Sequence, residues 1–528
     1  MSSSIKGHVT FEAVPQKPSG LAARSLHALK WNYAGSAVRV LSQLGIGIVL
    51  ARLLGPEPFG LVAIAWLVLG LGNLLSDMGL AAALIQKPQI DEQDIRYTFT
   101  LQVLIGLSMS VCVFLLAPLI ATFFARPDAT AVLSWLSLTF VLQALGLTAV
   151  ALMRRDLEHR RVQLLQIVSY LTGYLFVGVL MAWLGYGVWA LVCAQLVQTL
   201  LFSMLAYASS RHAVQPTLHS GQTQLLSFGS KVLLGNLSNW GMSYLDSAVV
   251  GRVLGMVELG LYNRSLNLVT SPMNAVVSSL QGVLFPLYAR LQNQREQACA
   301  LFMSSLCVLS LLMLPIFCAV AACAVTTLDV VYGPRWLLAG SLLAPLALAM
   351  PFNAMLAVCG PMMQGLGRAG LDAGVQTIGV IVLLVVTVIA ARYSLLAVGW
   401  AMLGIYIARA MAVMTLAVRM LRLKVFDLCR ALAGPLILGG VAYALAALFD
   451  SQLANIIPAS VARLLLVLTL CAVVLLLLLA CCGKSFLCRE ACELLSRSLP
   501  QFPPRVQAVM GKWLGVRLAN ETIVGDAR

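Results

Sequence analysis

Long apolar runs separated by short polar turns occupy most of the chain. Fourteen runs can be marked, beginning with 31–53 and ending with 460–482. A helix needs about 20 consecutive apolar residues to cross the hydrocarbon core of a bilayer. No turn between the runs is long enough to fold as a separate domain. The pattern predicts an all-α polytopic membrane protein with about 14 transmembrane helices.

Composition narrows the classes of protein that fit. Hydrophobic residues make up 60% of the 528 residues and charged residues only 10%, whereas a soluble domain carries about 25% charged residues. This excludes a soluble enzyme, a disordered chain and a fibrous protein. Most of the 13 cysteines lie in apolar runs and are interpreted as packing residues. The sequence has no P-loop motif and no metal-binding spacing, so no cofactor is predicted.

The distribution of Lys and Arg predicts the orientation in the membrane. With a cytoplasmic N-terminus, 25 of them fall on the inner side and 6 on the outer side. Cytoplasmic loops carry such an excess. The split predicts N-in and C-in topology, with cytoplasmic tails at 1–30 and 483–528. The formal charge of +15 then reflects topology, and no nucleic-acid partner is expected.

Two segments resemble each other across the chain. Residues 52–61 (Arg-Leu-Leu-Gly … Gly-Leu) recur 200 residues later as 252–261 (Arg-Val-Leu-Gly … Gly-Leu), and 187–190 match 398–401 more weakly. Six spans separate the members of each pair, so both halves enter the membrane in the same direction. This predicts a pseudo-twofold axis along the membrane normal, with the site between the halves. The predicted units are a six-helix bundle at 31–210, a second at 211–425, and helices 13 and 14 at 426–482.

Polar residues recur with helical spacing inside spans 1, 7 and 8. In order, these stripes are Asn32, Ser36, Arg39 and Gln43; Asn236, Asn239, Ser243 and Asp246; and Asn263, Asn267, Thr270, Asn274, Ser278 and Gln281, with Arg264 at the edge. Polar groups in membrane spans usually face protein or water. The stripes predict a cavity shared by the three helices. Interhelical hydrogen bonds are the alternative explanation.

The charged residues inside the spans are mainly basic. Arg39, Lys231, Arg264 and Arg409 lie within spans, while Asp77 and Asp246 lie toward span ends. This predicts a cationic cavity that favours an anionic substrate. The predicted binding residues are Arg39, Arg264, Arg409, Asn32, Ser36, Gln43, Asn239, Asp246, Asn267 and Asn274, with Arg52, Arg252, Lys231 and Asp77 as weaker candidates. For Lys231, snorkelling to the interface is an open alternative, as is an interface role for Arg52 and Arg252.

Several motifs resemble one known family. Residues 52–61, 76–80 (Ser-Asp-Met-Gly-Leu), 84–87, 153–157 and 364–368 are similar to motifs of Wzx-type polysaccharide flippases. These belong to the multidrug/oligosaccharidyl-lipid/polysaccharide (MOP) superfamily. The resemblance implies two six-helix bundles in a V plus two further helices. It also implies export of undecaprenyl-diphosphate-linked oligosaccharide across the bacterial inner membrane by alternating access, with no enzymatic step. Membrane lipid, a polysaccharide polymerase and export machinery are the implied partners.

Two other functions remain open from the sequence. A drug or cation antiporter shares the superfamily fold but would need carboxylates deep in the bundle for coupling. A polyprenyl-dependent glycosyltransferase or polymerase would need an acidic catalytic residue or a large outer loop. The acids near the spans lie toward span ends, and the outer loops are a few residues each, except around 325–335 and 450–460.

Overall fold

The computed structural model describes residues 35, 38–77, 80–87, 89–217, 223–457 and 460–486. The predicted tails at 1–30 and 483–528 lie outside this range, apart from the first residues of the second. Asn32 and Ser36 also lie outside the described residues, as do the side chains of Asp77 and Lys231. Their predicted roles stay predictions.

The described elements of the N-terminal half are all helices, joined by turns. Gly55, with φ of +78°, separates α1 from α2 in the left-handed conformation that glycine adopts without strain. The elements are α1 (38–54), α2 (Pro56–Asp77), α3 (Leu80–Gln86), α4 (Glu92–Phe123), α5 (Ala129–Leu136), α6 (Leu138–Arg155), α7 (His159–Tyr170), a π-helix (Leu171–Gly178), α8 (Val179–Trp183) and α9 (Val188–Ser210).

The C-terminal half repeats this arrangement and adds two helices. Gly255, with φ of +110°, separates α10 from α11 as Gly55 separates α1 from α2. The elements are α10 (Thr223–Val253), α11 (Met256–Arg290), α12 (Arg295–Ala322), α13 (Ala324–Tyr332), a 3-10 helix (Pro334–Ala339), α14 (Gly340–Gly365), α15 (Ala369–Ala391), α16 (Leu395–Leu421), α17 (Val425–Ala454) and α18 (Ser460–Phe486).

Twelve segments of the described residues are long and apolar enough to cross a membrane. The two predicted spans that are not among them correspond to α1 and α10, which carry two of the three polar stripes. The described part of α1, 38–54, is shorter than a full crossing of about 20 residues. The all-helical membrane fold is therefore confirmed, with twelve spans counted against the predicted fourteen.

The two halves meet in a reciprocal contact between α2 and α11. A Cβ placed on Gly60 would lie 1.9 Å from the carbonyl oxygen of Met256, and one on Gly260 would lie 2.1 Å from the carbonyl oxygen of Pro56. Pro56 and Met256 are 200 residues apart, as Gly60 and Gly260 are, so the two contacts are equivalent. Such a pair of equivalent contacts is what a twofold axis requires. The repeat inferred from residues 52–61 and 252–261 thus marks a backbone-to-backbone contact. We call this end of the molecule the closed end.

Further contacts join the halves at the closed end. The Arg52 Nε donates to the carbonyl oxygen of Val331 at 2.9 Å, and the indole N–H of Trp336 donates to the carbonyl oxygen of Ala51 at 3.0 Å. On the equivalent side, the Arg252 guanidinium lies 5.5 Å from the ring centre of Phe123. Arg52 and Arg252 thus connect helix ends across the two halves.

The last two helices pack on the C-terminal half. Helix α17 packs along α12, and α18 contacts α17 and α13. Arg463 of α18 forms an ion pair of 3.1 Å with Asp450 of α17, and both groups contact the hydroxyl of Thr326 in α13. Ser460 donates to Asp329 of α13 at 2.6 Å. These polar contacts fix α13 between the C-terminal helices and the closed end.

Candidate functional site

A cavity of about 990 Å³ lies between the two halves. Residues of α1, α2, α7, the π-helix and α9 line it on one side, and residues of α10, α11, α13, α14, α15 and α16 on the other. The Gly60–Gly260 contact lies at one end. At the opposite end, the lining includes the exposed side chains of Phe285 and Gln364. The cavity therefore opens away from the closed end.

Members of each predicted polar stripe line this cavity. Helix α1 contributes Gln43, and α10 contributes Asn239, Ser243 and Asp246. Helix α11 contributes five of its six predicted positions: Asn263, Asn267, Thr270, Asn274 and Gln281. Residues of helices α1, α10 and α11 thus line one cavity. The wall that they form is rich in hydroxyl and amide groups that can hydrogen bond to a polar ligand.

Arg264 lies inside a group of aromatic rings contributed by both halves. Its guanidinium carbon is 3.8 Å from the ring centre of Phe59 and 5.6 Å from that of Trp66. Both distances are within the range of a cation–π contact. One Nη is also the nearest atom to the Cβ position of Gly47, at 3.4 Å. An arginine of the C-terminal half thus reaches α1 and α2 of the N-terminal half.

Over the described residues, the Arg264 guanidinium is not paired with an acid. Among the described residues, no carboxylate lies within 4.0 Å of this guanidinium. A guanidinium stacked on a ring can still present paired N–H donors to a carboxylate or phosphate. An arginine in this arrangement can therefore bind an anion through its N–H groups.

A π-helix adds two tyrosines to the same region. Tyr170 and Tyr174 stack with ring centres 4.8 Å apart, and both line the cavity. The Tyr174 hydroxyl donates to Gln195 of α9 at 2.8 Å. Gly173 allows the close approach of α9, since a Cβ there would lie 2.6 Å from the carbonyl oxygen of Ala194. The sequence analysis identified neither the π-helix nor these tyrosines.

Arg409 lies elsewhere in the cavity and has partners. It donates to the side-chain oxygen of Gln376. Asp372 of α15 is close enough to interact electrostatically with it, and Asp372 also accepts from Gln364 at 2.9 Å. Arg409 is therefore partly neutralised, in contrast to Arg264.

Both carboxylate oxygens of Asp246 accept hydrogen bonds from within the protein. It is 2% exposed, and it accepts from the Tyr262 hydroxyl and from the Ser247 backbone N–H, both at 2.6 Å. These bonds hold the ends of α10 and α11 together near the closed end. The placement favours a structural contact over direct binding.

The charge of the cavity corrects one expectation. Its described lining contains two arginines, Arg264 and Arg409, and two aspartates, Asp246 and Asp372. The cavity is therefore not cationic as a whole over the described residues. Asp372, in the first turn of α15, was not identified by the sequence analysis. The uncompensated positive charge is local and lies at Arg264.

Three predicted arginines do not line the cavity. Arg39 donates to Gln166 of α7 at 2.8 Å, within the N-terminal half. Arg52 and Arg252 lie at the closed end in the contacts described above. The structure therefore brings Arg264, Arg409, Gln43, Asn239, Asp246, Asn267 and Asn274 to one cavity.

Comparisons with known proteins agree with this architecture. The family described as "Polysaccharide biosynthesis protein" matches residues 49–341. The succinoglycan biosynthesis transport protein ExoT of Rhizobium meliloti is 29% identical over 321 residues, which are 61% of this chain and 65% of ExoT. The lipopolysaccharide biosynthesis protein WzxC of Escherichia coli is 27% identical over 331 residues, which are 60% of this chain and 65% of WzxC. Both matches span less than two thirds of the relative's own length.

A solved structure shares the fold. The lipid II flippase MurJ, in an inward closed conformation, superposes with a TM-score of 0.66 over 86% of this chain and 98% of MurJ, at 12% identity. At that identity the likeness shows the fold alone. The family match covers more than half of the sequence, including the resembling motifs at 52–61 and 153–157. The chain therefore belongs to the polysaccharide biosynthesis protein family.

Proposed function

We propose that this protein translocates undecaprenyl-diphosphate-linked oligosaccharide repeat units across the bacterial inner membrane for exopolysaccharide or lipopolysaccharide biosynthesis. The names of ExoT and WzxC describe polysaccharide transport and biosynthesis, which supports this substrate class. The observation that carries the proposal is Arg264, which lines the cavity and has no carboxylate partner within 4.0 Å among the described residues. A diphosphate is a ligand of matching charge and geometry.

The cavity would lower the energetic cost of moving the charged diphosphate across the membrane. A diphosphate carries about two negative charges, and moving each ion into hydrocarbon costs several kcal/mol or more. The amides of Asn267, Asn274 and Gln43 would hydrogen bond to the sugar, while the Arg264 guanidinium would hold the diphosphate. The polyprenyl tail would stay in the bilayer. No bond of the substrate is broken in this process.

The closed end supports alternating access. Gly60 and Gly260 hold the halves together at one end, while the cavity opens at the other. With the N-in orientation predicted from Lys and Arg, the open end is cytoplasmic, where the repeat unit is loaded. Separation of α2 from α11 would then release it on the periplasmic side.

A deletion strain tests this function directly. Lipid-linked repeat units should accumulate on the cytoplasmic face, and the wild-type gene should clear them. Arg264→Met keeps the stacking area but removes the charge, so it should slow export by about 10- to 150-fold if a charge-assisted contact of about 1.5–3 kcal/mol is lost. Arg264→Lys should restore part of the rate, because it keeps charge without the paired donors.

The matched control is Arg392→Met, on an exposed turn outside the cavity. It should export at the wild-type rate with equal membrane abundance. Export by Arg264→Met at the wild-type rate would contradict the proposal.

A drug or cation antiporter is the second candidate function. Asp372, which the sequence analysis did not identify, lines the cavity together with the predicted Asp246. Drug resistance that depends on Asp372, in a strain whose polysaccharide output is unchanged by deletion, would favour this function instead.

A further inference from the structure

A second cavity lies at the end of the molecule opposite the closed end. Its volume is about 530 Å³, and it is enclosed by the ends of α11, α12, α14, α15 and α16. Its basic lining residues are Arg295, Arg368, Arg419 and Arg422. Its apolar lining residues include Leu291, Leu366, Leu371, Leu416 and Met420. No Asp or Glu belongs to the described lining.

These four arginines are not neutralised by carboxylates. Among the described residues, no Asp or Glu oxygen lies within 4.0 Å of any of the four. Arg295 also has a structural role, because its guanidinium donates to the carbonyl oxygens of Leu421 at 2.9 Å and Arg422 at 3.1 Å. Those bonds fix the end of α16 beside the start of α12 and bring its last arginines into the cavity wall.

Two helices also begin at this cavity. Helix α12 starts at Arg295 and α15 at Ala369, and neither N-cap side chain bonds to the first turn of its helix. The free backbone N–H groups of a first turn attract anions. The first turns also carry Glu296 and Asp372, which do not line this cavity, so the site depends mainly on its four guanidinium groups.

The equivalent end of the N-terminal half is arranged differently. There Arg161 pairs with Glu158 at 3.1 Å, and Lys87 pairs with Asp94 at 2.6 Å. A general excess of basic residues on one membrane face would account for arginines in both halves. It does not account for four that gather around one cavity without acids.

We propose that this second cavity is a phosphate-binding site at the membrane surface, whose ligand is the headgroup of an anionic phospholipid. The cavity lies where the helices leave the apolar region, and its leucines and Met420 would contact the first part of the acyl chains. Basic pockets between transmembrane helices bind such headgroups. The site is separate from the Arg264 cavity and does not depend on the proposed function.

Equilibrium binding to the purified full-length protein tests the site. Fluorescent phosphatidylglycerol is titrated against the wild type and against the double variant Arg368→Gln/Arg419→Gln, with phosphatidylcholine as the neutral lipid. Each arginine near an anionic headgroup contributes about 1 kcal/mol, so the double variant should bind phosphatidylglycerol about thirtyfold more weakly. The control Arg161→Gln/Arg392→Gln removes the same charge elsewhere and should bind like the wild type.

Two further measurements complete the test. All four substituted residues are exposed, so both double variants should melt at the wild-type temperature in phosphatidylcholine. Equal melting temperatures establish that folding is intact. Competition with inorganic phosphate distinguishes the sources of the ligand. If phosphate displaces phosphatidylglycerol, the phosphate group alone is recognised. If phosphate does not displace phosphatidylglycerol, the lipid is required. Unchanged phosphatidylglycerol binding by Arg368→Gln/Arg419→Gln would overturn the proposal.

Discussion

Adding one methyl group at Gly60 or Gly260 should open the closed end. The Cβ of alanine would lie 1.9 Å from the Met256 carbonyl oxygen in the first case and 2.1 Å from the Pro56 carbonyl oxygen in the second. Both neighbours are backbone atoms of helices, so neither can move aside as a side chain would. The helices must separate by about 1 Å in either case, because real Cβ atoms essentially never approach a neighbour within 3.0 Å.

The size of the effect follows from the cost of overpacking. An extra methyl group in a tight contact typically costs about 1–3 kcal/mol. If the cost falls on the closed state alone, the open population rises about 5- to 150-fold. Helix propensity contributes separately, since Gly to Ala stabilises a helix interior by about 1 kcal/mol.

A matched control separates these two contributions. Gly404, in α16, has no atom within 4 Å of its Cβ position. Gly404→Ala should therefore gain the same helix propensity without a clash. Its closed population should equal that of the wild type, so any difference from Gly260→Ala reports the contact.

Thiol labelling measures the opening. Ala51 is completely buried at the closed end, so Ala51→Cys in a background without native cysteines should react slowly with maleimide in unsealed membranes. Adding Gly60→Ala or Gly260→Ala should accelerate labelling about 5- to 150-fold, because a buried site reacts through its open population. If labelling is as slow as with Gly404→Ala, the α2–α11 contact does not hold the halves together.

Three further changes test individual contacts. Arg463→Met leaves Asp450 without its partner in a mostly buried pair, and should lower the free energy of unfolding by about 1–3 kcal/mol in a denaturation experiment. An unchanged free energy of unfolding would show that this ion pair of α18 does not stabilise the fold. Tyr174→Phe removes the bond to Gln195 and should cost about 1 kcal/mol in the same measurement, while an unchanged value would show that the bond contributes nothing. Burial lowers the pKa of His212 below its usual value of about 6.5, so the unfolded chain binds a proton first and the stability falls as the pH drops below 6.5. His212→Phe should therefore reduce the loss of melting temperature between about pH 7.5 and pH 5.5. A loss equal to that of the wild type would contradict this.

The sequence predicts the symmetric features of this fold well. The repeat at 52–61 and 252–261 is visible because glycine is required at two kinds of position, the left-handed turns at Gly55 and Gly255 and the close contacts at Gly60 and Gly260. A requirement for glycine leaves a direct trace in the sequence. The polar stripe of α11 is also visible, because helical spacing places its members on one face.

The environment of each charged residue could not be predicted in the same way. Arg39 and Arg264 look alike in the sequence, yet Arg39 donates to Gln166 and Arg264 stacks on Phe59. Each of these partners comes from another helix, and helical periodicity carries no information about contacts between helices. Asp372 was overlooked for a related reason, since the depth of the cavity along α15 depends on how α14 and α16 pack beside it.

Reconstituted transport tests the central claim most directly. The purified protein is placed in vesicles that contain undecaprenyl-diphosphate-linked oligosaccharide with a fluorescent sugar, and its movement between leaflets is followed with an impermeant quencher. The account predicts that the wild type and Arg392→Met exchange the lipid between leaflets and that Arg264→Met does so about 10- to 150-fold more slowly. Equal exchange by Arg264→Met and the wild type would show that this guanidinium does not bind the transported diphosphate.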